Sequence, residues 1–152
     1  MPELPNLHPP LVAFPLSFIT LLFLLEWYSL ISPAKDYRQV TKILLTAVLV
    51  FTLFAFFSGY QASEVADMSF KVPDDAIDVH HQSGKLLLFA TIPMTLMGLL
   101  KGKVKYNQKI FMVTYFLLLT LCQVLVLYTG YLGGQLVFRH GAGVYAEVSA
   151  AD

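Results

Sequence analysis

Four histidines, His8, His80, His81 and His140, are the residues of this chain best suited to chemistry. Imidazole is the commonest metal ligand among side chains. Two imidazoles from facing elements can also hold haem b, one from each side of the macrocycle. The four lie far apart in sequence with long apolar segments between them, so their use depends on where those segments return them. No other constellation competes. Cys122 is the single cysteine, it lies in an apolar run, and no Cys-x-x-Cys-His stretch exists for covalent haem attachment. The sequence shows no nucleophile–base pair and no phosphate-binding loop. Glu26 is the one carboxylate inside an apolar segment, beside Trp27 and Tyr28. A carboxylate at such a place is functional by default. Its position near the segment's end favours snorkelling or pairing with Lys42, and its sharper role would be a proton relay to a quinone.

The segments between the histidines are those of a membrane protein. Of 152 residues, 57% are hydrophobic and only 13% charged, and the mean hydropathy is +0.65. A soluble domain carries about 25% charge, so much of this surface must face lipid. Ten basic and ten acidic residues cancel, and no basic patch with interleaved aromatics suggests nucleic acid. The start, Met1 to Pro10, has no basic region and no small-residue cleavage site, so the first apolar stretch reads as a retained helix.

A spanning helix needs about 20 mostly apolar residues. Four such spans are expected in one domain over 1–152, at about 10–32, 41–60, 80–100 and 110–137. Pro9 and Pro10 suit a helix start, and Pro33 an end. A kink is expected near Pro93, and a tilt or break in the last span around Gly130, Gly133 and Gly134. Short connections between spans one and two, and three and four, give antiparallel neighbours. The fold class is therefore all-α, an integral up-down four-helix bundle. The stretch 61–79, with Glu64, Asp67, Asp74, Asp75 and Asp78, reads as a long acidic loop.

Orientation follows from the lysine and arginine bias. One side carries Lys35, Arg38, Lys42, Lys101, Lys103, Lys105 and Lys109, and the other Lys71, Lys85 and Arg139. The richer side should be cytoplasmic. Both termini and all four histidines then face the periplasm of a bacterial inner membrane. Trp27 and Tyr28 suit the inner interface, Tyr60 and Tyr131 the outer one.

A flat macrocycle needs a slot, and small residues gather at the depth of the histidines. Ala55, Gly59 and Ser63 are spaced by four on span two, Gly130 and Gly134 on span four, and Gly84 follows His80 by one turn. The same spacing also serves close helix packing. His80 and His81 point about 100° apart on a helix, so they cannot serve one site in the same way. Arg139, beside His140, could pair with a propionate through its guanidinium fork. Three histidines around a bare zinc or copper ion would need closer convergence.

The chain resembles a family of small bacterial four-helix membrane proteins catalogued as a domain of unknown function, among whose members haem binding is suspected. The resemblance covers nearly the whole chain. It rests on His8-Pro9 with Phe14-Pro15, on His80 with Gly84, and on the stretch from Thr129 to Val144, with its glycine pair and Arg139-His140-Gly141-Ala142-Gly143-Val144. It implies that His8, His80 and His140 are the key histidines. His81 departs from the family pattern. The expected function is membrane electron transfer by one haem b, or two, near the periplasmic face. The chain would act as a subunit more than as a stand-alone enzyme, in contact with lipid and with redox partners such as a periplasmic cytochrome or a quinone. Loss of His80 or His140 is expected to abolish binding and His81→Ala to retain it. A non-redox anchor or assembly subunit, and a histidine zinc or copper site, are the alternatives.

Overall fold

The computed structural model describes residues 7–32, 36–70 and 72–144, without the side chains of 65 and 67–70. Pro33, Lys35 and Lys71, used above for ends and orientation, lie outside the described residues, as does the Asp67 side chain. Four helices follow in order: α1 His8–Ile31, α2 Arg38–Phe70, α3 Asp74–Leu100 and α4 Gln108–His140. All four are long and apolar enough to cross a membrane. Each packs on its chain neighbours, and α1 closes against α4, so the bundle is a ring with α1 diagonal to α3 and α2 diagonal to α4. The start of α1 and the end of α4 lie at one end of this antiparallel bundle.

Local chemistry sets the ends. Proline occupies the first turn of α1, where the missing N–H removes no helical bond. The Asp36 carboxylate accepts from the Arg38 backbone N–H at 3.0 Å and from Arg38 Nε at 3.1 Å, just before α2. These bonds hold the Asp36 carboxyl below its ordinary range. Asp74 and Asp75 lie in the first turn of α3, where the helix dipole favours negative charge. Gly141 ends α4 at φ 69°, a left-handed conformation that glycine adopts without steric cost.

Two expectations change. Residues 61–79 do not form a long loop: α2 runs ten residues past Tyr60 and α3 begins six before His80. Apolar content falls where the lipid should end, but nothing in Gln61 to Phe70 breaks a helix, and the next proline is Pro73, which caps α3. Nor does α4 break at Gly130, Gly133 or Gly134; it is helical throughout its 33 residues.

Packing is uneven along the bundle. Ile19, Leu22, Leu45, Val48, Met94, Tyr115 and Leu119 are fully buried and form a core in the half away from the histidines. Leu21, Leu24, Phe54, Phe57, Phe89 and Leu117 are exposed on the outside, as side chains facing lipid must be. The Cβ that an alanine would place at Gly98 would stand 2.6 Å from Leu45 Cδ1, so the Leu45 side chain packs directly on the α3 backbone there. The other half of the bundle is hollow.

Candidate functional site

The hollow is a cavity of about 500 Å³ between all four helices, within the roughly 300–1,000 Å³ of small-molecule and cofactor sites. His8, His80 and His81 line it, together with Gly59, Gly84, Gly130, Gly133 and Gly134. Most of its remaining wall is apolar.

His8 and His80 meet across the bundle from diagonally opposed helices. Their ring centroids are 6.1 Å apart and their planes at 83°. Each ring rests on a glycine of the following helix. A Cβ at Gly59 would stand 2.9 Å from His8 Cε1, and one at Gly133 would stand 3.2 Å from His80 Cε1. His8, Gly59, His80 and Gly133 therefore form one layer to which every helix contributes. His8 Nδ1 lies 3.1 Å from Ser58 Oγ. The His80 ring faces the Thr129 carbonyl, and its buried Nδ1 has no hydrogen bond of ordinary geometry among the described residues. Gly84, Gly130 and Gly134 face open space, where an added Cβ would meet nothing within 4 Å. They supply room, whereas Gly59 and Gly133 supply contact.

The remaining histidines stand apart from this pair. His81 is turned toward α2 and packs edge-on against Phe56 at 5.6 Å and Tyr60 at 6.1 Å between centroids. His140 does not line the cavity, and neither does Arg139, which is exposed. His140 follows Gly133 by seven residues, about 10 Å along an unbroken helix, and the neighbours Val137, Phe138, Ala142 and Gly143 border the cavity where His140 does not. Among the described residues, no three histidine, cysteine, aspartate or glutamate side chains gather to hold a metal ion. A bare zinc or copper centre built from His8, His80 and His140 therefore lacks its third ligand.

The spacing of this pair is compatible with a haem between the two rings. With metal–imidazole bonds of about 2.0 Å and about 1.1 Å from nitrogen to ring centre, two axial imidazoles have centroids about 6 Å apart. The observed spacing agrees, the two rings come from opposed helices, and the glycines leave room beside them.

Sequence reasoning missed Gly133 as the seat of His80, and Ser58 altogether. A partial signal was present, although it aligns Gly59 with Gly130 and not with Gly133. Ser58-Gly59-Tyr60 on α2 is echoed by Thr129-Gly130-Tyr131 on α4, and each echo lies on the helix that follows one of the paired histidines. The hairpin α1–α2 thus has a counterpart in α3–α4.

At the opposite end, Glu26 is 1% exposed and its Oε2 accepts from Lys101 Nζ, the C-cap residue of α3. Lys42, the partner expected above, is exposed. Glu26 faces inward, where only the end of α3 can reach it. Lys101 Nζ also lies 5.6 Å from the Tyr115 ring centre. Glu26 Oε1, Tyr115 Oη and Thr95 Oγ1 are buried without a hydrogen bond of ordinary geometry among the described residues.

The model of a family described as a predicted membrane protein, DUF2231, matches residues 4–146. Neither the curated proteins nor the solved structures gave a match.

Proposed function

We propose that the chain, which belongs to the DUF2231 family of predicted membrane proteins, is an electron-transfer subunit that binds haem b through His8 and His80. The observation that carries this reading is the meeting of those two rings at 6.1 Å from diagonally opposed helices, with glycines of the other two helices beside them. Haem b held this way supplies one-electron transfer, and the protein tunes and positions it. His8 and His80 would be the axial ligands. Gly84, Gly130 and Gly134 would leave room for the macrocycle, and the apolar wall would keep water out. His81 lines the same cavity and would stand beside the macrocycle without ligating.

The lysine and arginine bias supports an orientation with the histidine end outward, in a bacterial inner membrane. Electrons would then be exchanged on the periplasmic side, with a periplasmic cytochrome or a quinone as the class of partner. His140 and Arg139, further out along α4, suit contact with such a partner better than ligation.

The test is a reduced-minus-oxidised visible spectrum of the purified, haem-saturated protein in detergent. A shifted Soret band and sharp α band of a six-coordinate b-type haem are expected. Their absence at saturating haem would sink the reading.

A further inference from the structure

The surroundings of His8 restrict which of its nitrogens carries the proton. Ser58 has one hydroxyl proton, and Ser58 Oγ donates to the Ala55 carbonyl at 3.1 Å. That proton is then committed. The contact of 3.1 Å between Ser58 Oγ and His8 Nδ1 is a hydrogen bond only if Nδ1 is the donor. The Ala55 carbonyl, which can only accept, faces the same ring. Both groups therefore ask for a proton on Nδ1.

His80 meets a related arrangement on α4. Its ring faces the Thr129 carbonyl, and Thr129 occupies the place of Ser58 in the repeated Ser/Thr-Gly-Tyr pattern. In both cradles a glycine lies four residues after the carbonyl that faces the ring: Gly59 after Ala55, and Gly133 after Thr129. A side chain there would cover the carbonyl and strike the imidazole. Its absence lets the ring reach the backbone of the preceding turn.

We infer that Ser58 is a positioning residue that fixes His8 as the Nδ1–H tautomer, leaving its Nε2 as the unprotonated, ligating nitrogen. A ligating histidine commonly has its other ring nitrogen oriented by such an acceptor. The role of this arrangement in haem binding rests on the function proposed above, whereas the tautomer itself belongs to the cofactor-free protein.

The experiment is nitrogen-15 NMR of histidine-labelled, haem-free protein in detergent micelles at a pH where imidazole is neutral. The His8 and His80 signals are assigned by their loss in His8→Gln and His80→Gln. The His8 ring should show a protonated Nδ1 and a bare Nε2. In Ser58→Ala the His8 signal should become a mixture in which the Nε2–H form is detectable, while His80 is unchanged. Ser58→Thr should restore the single form. A wild-type His8 protonated on Nε2 would overturn the inference. A Ser58→Ala spectrum identical to wild type would remove Ser58 from its role. Because no haem is present, either failure is separate from a missing haem spectrum.

Discussion

Gly59 lies directly against the imidazole of His8: a single methyl group at that position would stand 2.9 Å from Cε1 and 3.3 Å from Nδ1. Since carbon atoms pack at about 3.5–4.0 Å, Gly59→Ala must push the ring away from Ser58 and from His80. Overpacking of this kind costs about 1–3 kcal/mol, and it falls on the ligand pair itself. We expect haem affinity to drop by roughly tenfold or more, read by titration of the apoprotein. Gly84→Ala, whose added carbon meets no protein atom within 4 Å, should leave the His8–His80 pair in place, so any loss of affinity there reads occupied cavity volume.

The four histidines should separate cleanly. His8→Ala and His80→Ala each remove one member of the facing pair and should abolish the six-coordinate spectrum. His81→Ala and His140→Ala should retain it, because His81 packs on Phe56 and Tyr60 and His140 lies outside the cavity lining. Loss of the spectrum on changing His140 would restore it as a residue required for binding, as expected from sequence.

How much of this was legible follows from what each signal measures. Apolar length placed four spans, because lipid imposes it on every helix that crosses. It could not place the helix ends, because Gln61 to Phe70 leave the apolar pattern without leaving the helix. The small-residue rows pointed to a hollow at the histidine end, and the cavity lies there. Which histidines meet was not legible. That depends on the depth and the rotation of each helix: the unbroken α4 sets His140 two turns beyond Gly133, and its neighbours, not His140, border the cavity. The partner of Glu26 escaped for a similar reason: both Lys42 and Lys101 lie at the right end, and only the inward rotation of α1 selects Lys101.

Room and contact can be told apart by filling the cavity. Gly130 and Gly134 border open space, so Gly130→Leu and Gly134→Leu should fold and insert normally while occupying volume the macrocycle needs. Circular dichroism should match wild type, and haem titration should show no Soret shift. A leucine variant that binds haem with unchanged affinity would place the cofactor elsewhere.

The Glu26–Lys101 pair predicts a non-additive stability pattern. Lys101→Met leaves a carboxylate that is 1% exposed without its cation. Breaking a fully buried pair in this way costs about 3–5 kcal/mol. With the Lys101 side chain 29% exposed, water can reach part of the site, and about 2 kcal/mol is expected after that discount. The double variant Glu26→Gln/Lys101→Met should recover most of the loss, since no ion is then left unpaired. Unfolding in mixed micelles for the two single variants and the double variant measures the coupling. Equal destabilisation by the single and double variants would show that the two charges do not depend on each other.

The seating of His8 and His80 has a consequence for assembly order. Ser58, Gly59 and Gly133 all belong to the chain, so the described contacts that orient the two rings arise as the helices come together. The entropy of aligning two ligands is then lost once, during insertion and helix association, and does not recur when a cofactor arrives. With haem bound as proposed, biogenesis would divide into two separable stages: a bundle that matures by itself, and a later delivery step limited by passage into the hollow half, not by refolding.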